Sequence, residues 1–239
     1  STFVNRINEL KNLIFYQSKF TSFIYGNIDY NSLFKNENQL VLDFPSIEKP
    51  RNILKLKKSI QVTHPNSKET NNYVKFAYYI GSFDPINNLL LLVLSIGFSN
   101  LFYSDLRSKQ QFGYIVHAGI SGYQKNYYFE EIIQSEKSIE DIEKAILKFN
   151  NGFLDLIDEI EFNKFVESAK NIIEEKDTQM SDLINRFLSE IVENTFIFNR
   201  KQLLLNQIKN IDYQTYKNFY KNKIINGKLS KIIIKVINK

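Results

Sequence analysis

An α+β fold, with an antiparallel or mixed β-sheet covered by helices, is predicted by three features of the sequence. Alternating apolar residues mark strands near residues 53–63 and 73–80 and again at 114–134. A long, apolar helix lies between these groups. A β-branched segment, SKIIIKVI at 230–237, follows a series of helices. Strands therefore come before, between and after helices, an order that a βα-alternating parallel fold does not produce.

Taken in order, Phe3, Val4, Ile7, Leu10, Leu13 and Ile14 recur at three and four, predicting an amphipathic helix over residues 2–16 with Thr2 as its cap. Residues 20–25, FTSFIY, read as a short strand closed by Gly26-Asn27, and 30–35 as a helical turn. Asp43-Phe44-Pro45-Ser46 to Lys49-Pro50 then breaks regular structure with two prolines. This break divides the chain into residues 1–45, too few to hold a core of their own, and residues 46–239.

Beyond the break, 53–63 alternates Leu54, Leu56, Ile60 and Val62, while 73–80 places Val74, Phe76, Tyr78 and Ile80 on one face. Asp84-Pro85 is a helix start, with the carboxylate at the cap and proline at the first helical position. The helix runs from Ile86 to about Tyr103 and is apolar nearly all round, which predicts burial. Ser104-Asp105 reads as the opening of a second helical piece that Gly113 stops. Strands at 114–119 and 127–134 follow. Helices are expected at 138–157, 159–176, 181–192, 201–208 and 212–223, before the strand at 230–237.

Composition sets limits on function. With 239 residues, 43% hydrophobic and 14% aromatic, the chain is long and apolar enough for one large domain, or a domain plus a fragment. Abundant Asn, Lys and Ile, with 20 Phe against one Met and no Trp, look like compositional drift, and the net charge of +5 fits the same drift. The absence of cysteine excludes disulfides and thiolate metal sites and leaves the compartment undetermined, with the cytoplasm favoured. The first 17 residues carry Arg6 and Lys11 and do not resemble a signal peptide. The longest apolar run, at 89–94, is far shorter than the ~20 residues of a membrane span, so no membrane partner is expected. A chain that opens inside a helix is expected to be a piece of something larger.

The inventory of catalytic parts is short. His64 sits in a loop beside Pro65, and His117 on a strand among apolar neighbours. No H-E-x-x-H or H-x-x-E-H pair, no G-x-S-x-G, no Walker loop and no G-x-G-x-x-G is present. Catalytic residues and metal ligands are therefore expected to be absent from this chain. Of the carboxylates Glu130-Glu131, Glu140-Asp141-Glu143, Asp155 to Glu161 and Glu174-Glu175, most read as solvated helix faces, and nothing singles out a glycosidase-like pair among them. Two groups of lysines, around Lys57 and from Lys217 to Lys235, interleave with Tyr216, Phe219 and Tyr220 as in nucleic-acid binders. No recognisable nucleic-acid module accompanies them, so nucleic acid is not the expected partner.

The remaining candidate is residues 106–116, LRSKQQFGYIV. Arg107 and Tyr114 are long hydrogen-bond donors suited to gripping carbonyl or carboxylate oxygens. Gly113 can adopt the left-handed conformation that ends a helix and turns the chain into a strand. Arg107 would project from the helix and Tyr114 from the strand start, toward one cleft. The competing structural reading pairs Arg107 with Asp105 and lays Tyr114 over the sheet.

FYSDLRSKQQFGYIV at 102–116, IIQSEK at 132–137, FTSFIYGN after the first helix, and YKNFYKNKI followed by KIIIKV resemble the last domain of the insulinase (pitrilysin-type) zinc metallopeptidases. The central pattern is L-R-x-K-x-Q-x-G-Y-x-V. Phe112 stands where the family usually has leucine, and the segment after Asn27 looks shortened. The resemblance implies residues 1–45 as the end of a preceding homologous domain plus linker, and 46–239 as the C-terminal insulinase-like domain. It implies four homologous domains closing around a peptide substrate, with zinc bound outside this chain in the N-terminal catalytic half of the same polypeptide. Arg107 and Tyr114 occupy the positions that contact substrate near the scissile bond. A catalytically inactive binding or scaffold module of the same family is the alternative, separable by whether H-x-x-E-H occurs upstream.

Overall fold

The computed structural model describes residues 2–17, 23–27, 29, 58–123, 125–227 and 231–238. The chain divides into two compact units, Ser1–Leu54 and Lys55–Lys239. In the first, α1 (Thr2–Gln17) forms as its periodicity predicts, with Phe3, Val4, Ile7, Leu10, Leu13 and Ile14 all exposed. Residues 23–25 are irregular; the rest of the strand expected at 20–25, the turn at 30–35 and the break at 43–50 lie outside the described residues.

The second unit is built on a five-stranded sheet. Its strands are β1 (Lys58–Thr63), β2 (Asn72–Ser82), β3 (Ile115–Tyr123), β4 (Asn126–Ser135) and β5 (Lys231–Ile237), in the spatial order β1-β5-β2-β4-β3. β5 runs parallel to β1 and antiparallel to β2, and the other pairs are antiparallel, so the sheet is mixed. Strand alternation sorts the faces: Val74, Phe76, Tyr78 and Ile80 of β2 and Phe129 and Ile133 of β4 are buried on the side that carries the helices. The opposite face carries Tyr73, Lys75 and Tyr79 of β2 beside Gln134, Ile132 and Tyr128 of β4, all half-buried.

The central helix α2 (Pro85–Phe102) starts as the sequence predicts: the Asp84 carboxylate accepts a hydrogen bond from the Asn87 amide at 2.8 Å, and Pro85 opens the first turn. Phe98 is the hub of the core, its ring within 4.7 to 5.5 Å of the rings of Phe102, Phe129, Phe149 and Phe153. α2 does not stop at Tyr103. It continues without a break into a π-helical turn, Tyr103–Lys109, because Phe102 and Leu106 extend the buried stripe and hold the chain helical. The second helical piece expected from Ser104-Asp105 is therefore part of the same helix. By length and composition the whole segment Pro85–Lys109, 25 residues, could cross a bilayer. Its apolar character is accounted for by packing, since Leu89, Leu90, Leu91, Val93, Leu94 and Phe98 are all in the core.

The later helices are α3 (Ile139–Gly152), α4 (Glu159–Glu174), α5 (Met180–Val192), α6 (Arg200–Leu205) and α7 (Tyr213–Tyr220). Ser138, Asp158 and Asp212 cap α3, α4 and α7 through their side chains. α4 approaches α2 closely at Gly97, where a Cβ would lie 2.4 Å from the Phe165 ring.

Candidate functional site

The site begins where α2 runs out. The widened last turn is closed by Gln110 N–H donating to Asp105 C=O at 3.0 Å and Phe112 N–H donating to Leu106 C=O at 2.9 Å. Two residues with positive φ then turn the chain. Gln111, at φ 54°, is the left-handed residue that ends the helix, a place the sequence had suggested for Gly113. Gly113, at φ 141°, lies against β4, where a Cβ would sit 2.2 Å from the Gln134 carbonyl oxygen. Leu106 and Phe112 are buried on either side and anchor the corner to the core. Lys137, just beyond β4, donates to the Gln110 carbonyl at 3.0 Å with its ammonium 3.8 Å from the centre of the Phe112 ring.

Arg107 and Tyr114 come together on this frame. The Arg107 guanidinium carbon is 5.9 Å from the centre of the Tyr114 ring, and Tyr114 is 85% exposed. Arg107 forms no ion pair among the described residues. Asp105, its expected competitor, instead accepts a hydrogen bond from Gln110 Nε2 at 2.7 Å. The corner thus places a half-buried guanidinium with five donors beside an exposed phenol, both held by buried neighbours.

The other sequence candidates are dispersed. His117 is exposed on β3, and His64 is tied into its own loop, its Nδ1 accepting from the Asn66 amide at 3.1 Å. Among the described residues no group of three or more His, Cys, Asp or Glu could hold a metal ion, so the side chains present do not fit a zinc centre. Much of the second lysine group is engaged inside the fold. Lys223 donates to Ile80 C=O at 2.7 Å, Lys235 pairs with Glu143 at 2.7 Å, and Lys217 and Lys231 lie 4.4 Å from the centres of the Tyr213 and Phe76 rings.

Two carboxylates depart from the solvated-face expectation or were not singled out. Glu131 has no exposed surface: its Oε2 accepts from Tyr78 Oη at 3.2 Å and from Asn150 Nδ2 at 3.0 Å, while Oε1 has no partner. Burial pushes its carboxyl up to about 8, against the opposing pull of Asn150, Tyr78 and Lys231. Strand parity could have found it, because Glu131 falls between Phe129 and Ile133 on the helix-covered face of β4. Glu190, 5% exposed, receives Arg200 through Nε and, at 2.9 Å, through a terminal guanidinium nitrogen. It also accepts from the Thr195 hydroxyl and, at 3.2 Å, from the Ile197 amide. Burial pushes the Glu190 carboxyl up, but the bonds from Arg200 and Thr195 outweigh it and hold it below the usual carboxylate range. No local pattern marks this cluster. A hollow of about 290 Å³ adjoins it, lined by Leu91, Leu92, Ile120, Tyr127 and Leu204 among others, and contains neither Arg107 nor Tyr114.

Comparison with known proteins bears on the same region. A family model described as PQQ synthase PqqF-like, C-terminal lobe domain 4, matches residues 93–188, a span that holds both Arg107 and Tyr114. The insulin-degrading enzyme of Drosophila melanogaster is 28% identical over 137 residues, covering 54% of this chain and 14% of that protein. Residues 93–188 are thus similar to the fourth domain of that C-terminal lobe. The fold agrees. The structure of pitrilysin superposes with a TM-score of 0.66 at 15% identity, over 88% of this chain and 23% of that one. A peptidase M16 inactive domain from Pseudomonas fluorescens does so at 0.53 and 12% identity, over 76% of this chain and 43% of that one. The α+β fold with a mixed sheet is thus shared with these solved structures. The match spans about a seventh of the length of that curated relative.

Proposed function

We propose that this chain is an insulinase-type domain, the non-catalytic C-terminal part of a zinc metalloendopeptidase, and that Arg107 and Tyr114 bind peptide substrate there. On this reading residues 1–45 end a preceding homologous domain and lead through a linker into 46–239. The zinc site belongs to the N-terminal catalytic half of the same polypeptide. The observation that carries the proposal is the Arg107–Tyr114 pair: a half-buried guanidinium whose carbon lies 5.9 Å from the centre of the exposed Tyr114 ring, on a corner anchored by buried Leu106 and Phe112. A phenol donor near an oxyanion, or a guanidinium on a neighbouring peptide carbonyl, stabilises charge that develops during acyl transfer; one such donor is often worth ~3 kcal/mol. Placing both on a helix-to-strand turn pinned by Lys137 means little reorganisation is needed when substrate arrives.

The test is kinetic. In the complete enzyme, Tyr114→Phe is expected to lower kcat more than it raises KM, the pattern of an interaction made chiefly in the transition state. Unchanged kinetics would return Tyr114 to a surface role. The purified 239-residue chain is expected to cleave no peptide alone, and chelator-sensitive cleavage by it would overturn the assignment of chemistry to another domain.

A further inference from the structure

β3 closes one side of the sheet, and among the described residues no strand pairs with its outer edge. Its register with β4 is unbroken from Ile115↔Gln134 to Tyr123↔Asn126, with no bulge to twist the edge away. The sequence IVHAGISGY contains no proline and no Lys, Arg, Asp or Glu, the devices by which exposed edges are usually kept from pairing. Ile115, His117, Ile120 and Gly122 are exposed along it. One edge group is engaged: the Ala118 carbonyl accepts from Ser99 Oγ at 2.7 Å, which leaves it a second lone pair. The nine residues of the strand span about 30 Å, with Val116, Ala118 and Gly119 buried between the exposed positions.

Both ends of this edge lead to features that a side chain or chain end can use. At the start stand Tyr114 and Arg107, with donors that no described residue takes up. Near the far end Ile120 forms part of the 290 Å³ hollow with Leu91, Leu92 and Leu204, a space of the size of one large apolar side chain. Ile120 lies six residues beyond Tyr114, roughly 20 Å along an extended chain.

We propose that the outer edge of β3 is a peptide-binding edge, to which an extended peptide adds as a sixth strand, with an apolar side chain in the Ile120 hollow and one end at Arg107 and Tyr114. Main-chain hydrogen bonds supply the affinity and the hollow supplies selectivity, as in other strand-addition sites. A second copy pairing edge to edge is the less suited occupant, because it would bring no carbonyl or carboxylate end to the two donors. The proposal rests on the peptide-binding reading above and extends it from two side chains to a track.

The test uses the full chain and a blocked decapeptide of alternating threonine and valine, with one leucine and two glutamates for solubility. Two further versions are N-methylated on alternate residues, one set on each parity. Strand addition requires that one parity loses about tenfold or more in affinity, the equivalent of a hydrogen bond or two, while the other stays within about twofold. Alternate amides within 115–123 should gain exchange protection when the peptide binds. Equal binding of both methylated sets, no binding of the parent peptide, or protection of β3 by self-association without peptide would each overturn the proposal. Arg107→Gln and Tyr114→Phe separate it from the reading on which it rests. A parity pattern that persists with undiminished affinity in both variants keeps the edge and discards the corner. Weakened binding in the variants with no parity pattern keeps the corner and discards the edge.

Discussion

Replacing Glu131 with glutamine is expected to flatten the stability profile of the domain between about pH 5 and 7. The carboxyl has no solvent contact, one of its oxygens has no partner, and burial pushes its pKa up to about 8. In the unfolded chain a glutamate titrates near ~4.3. Between these values the folded state holds a proton that the unfolded chain has released, so this group's contribution is fully present below the unfolded value and is lost as pH rises toward 8. The loss is about 1.4 kcal/mol per pH unit, on the order of 3 kcal/mol by neutral pH. Glutamine occupies nearly the same volume and does not titrate. Urea unfolding of both proteins at half-unit steps from pH 5 to 7 measures the effect, with the quantity of interest the slope of the difference. Any fixed cost of the amide, including its fit to Tyr78 and Asn150, cancels in that slope. The wild-type chain should lose stability relative to Glu131→Gln by about 1.4 kcal/mol for each unit of rising pH. Parallel profiles would refute the reasoning and mean that the carboxylate is ionised in the folded protein.

Gly113→Ala should cost about 3 kcal/mol or more, since the new methyl meets the Gln134 carbonyl at 2.2 Å and the backbone must keep φ at 141°. A loss below about 1 kcal/mol in denaturant would show that the corner relaxes freely. Arg200→Ala leaves Glu190 buried without its cation and should destabilise by about 3–5 kcal/mol, read as a fall in Tm. A change of less than about 1 kcal/mol would mean that Thr195 and the Ile197 amide suffice.

Local features of the fold were legible wherever neighbouring residues decide the outcome. Asp84-Pro85 marked the start of α2, Ser138 and Asp158 stand at the heads of α3 and α4, and period-two alternation located β2 and β4. The helix-to-strand corner was also visible, because Gly113 and the flanking polar run interrupt two apolar patterns. Ser104-Asp105 has the form of a second helix start, but the burial of Leu106 keeps α2 going through it. Glu131 stands beside Glu130 in sequence, but alternation along β4 turns it to the helix-covered face between Phe129 and Ile133. Glu190 and Arg200 meet across ten positions and a loop with positive φ at Asn194 and Phe196, a pairing that no periodicity announces. That Arg107 has no ion pair among the described residues is likewise a product of packing: Asp105 is as near in sequence, and in the π-helical turn it accepts from Gln110 instead.

The place of β5 has a consequence for how the protein is made. The strand that comes fifth in the chain fills the slot between the first two, pairing with β1 on one side and β2 on the other. A polypeptide emerging from the ribosome therefore carries β1 with no described strand to pair with, until residues 231–237 have left the exit tunnel. Helices α2 and α3 can collapse onto the three antiparallel strands β2-β4-β3 well before that moment, but the sheet cannot be finished in the order of translation. A chaperone that shields β1 and the vacant side of β2 during elongation would act where this topology leaves nascent chains most open to mispairing.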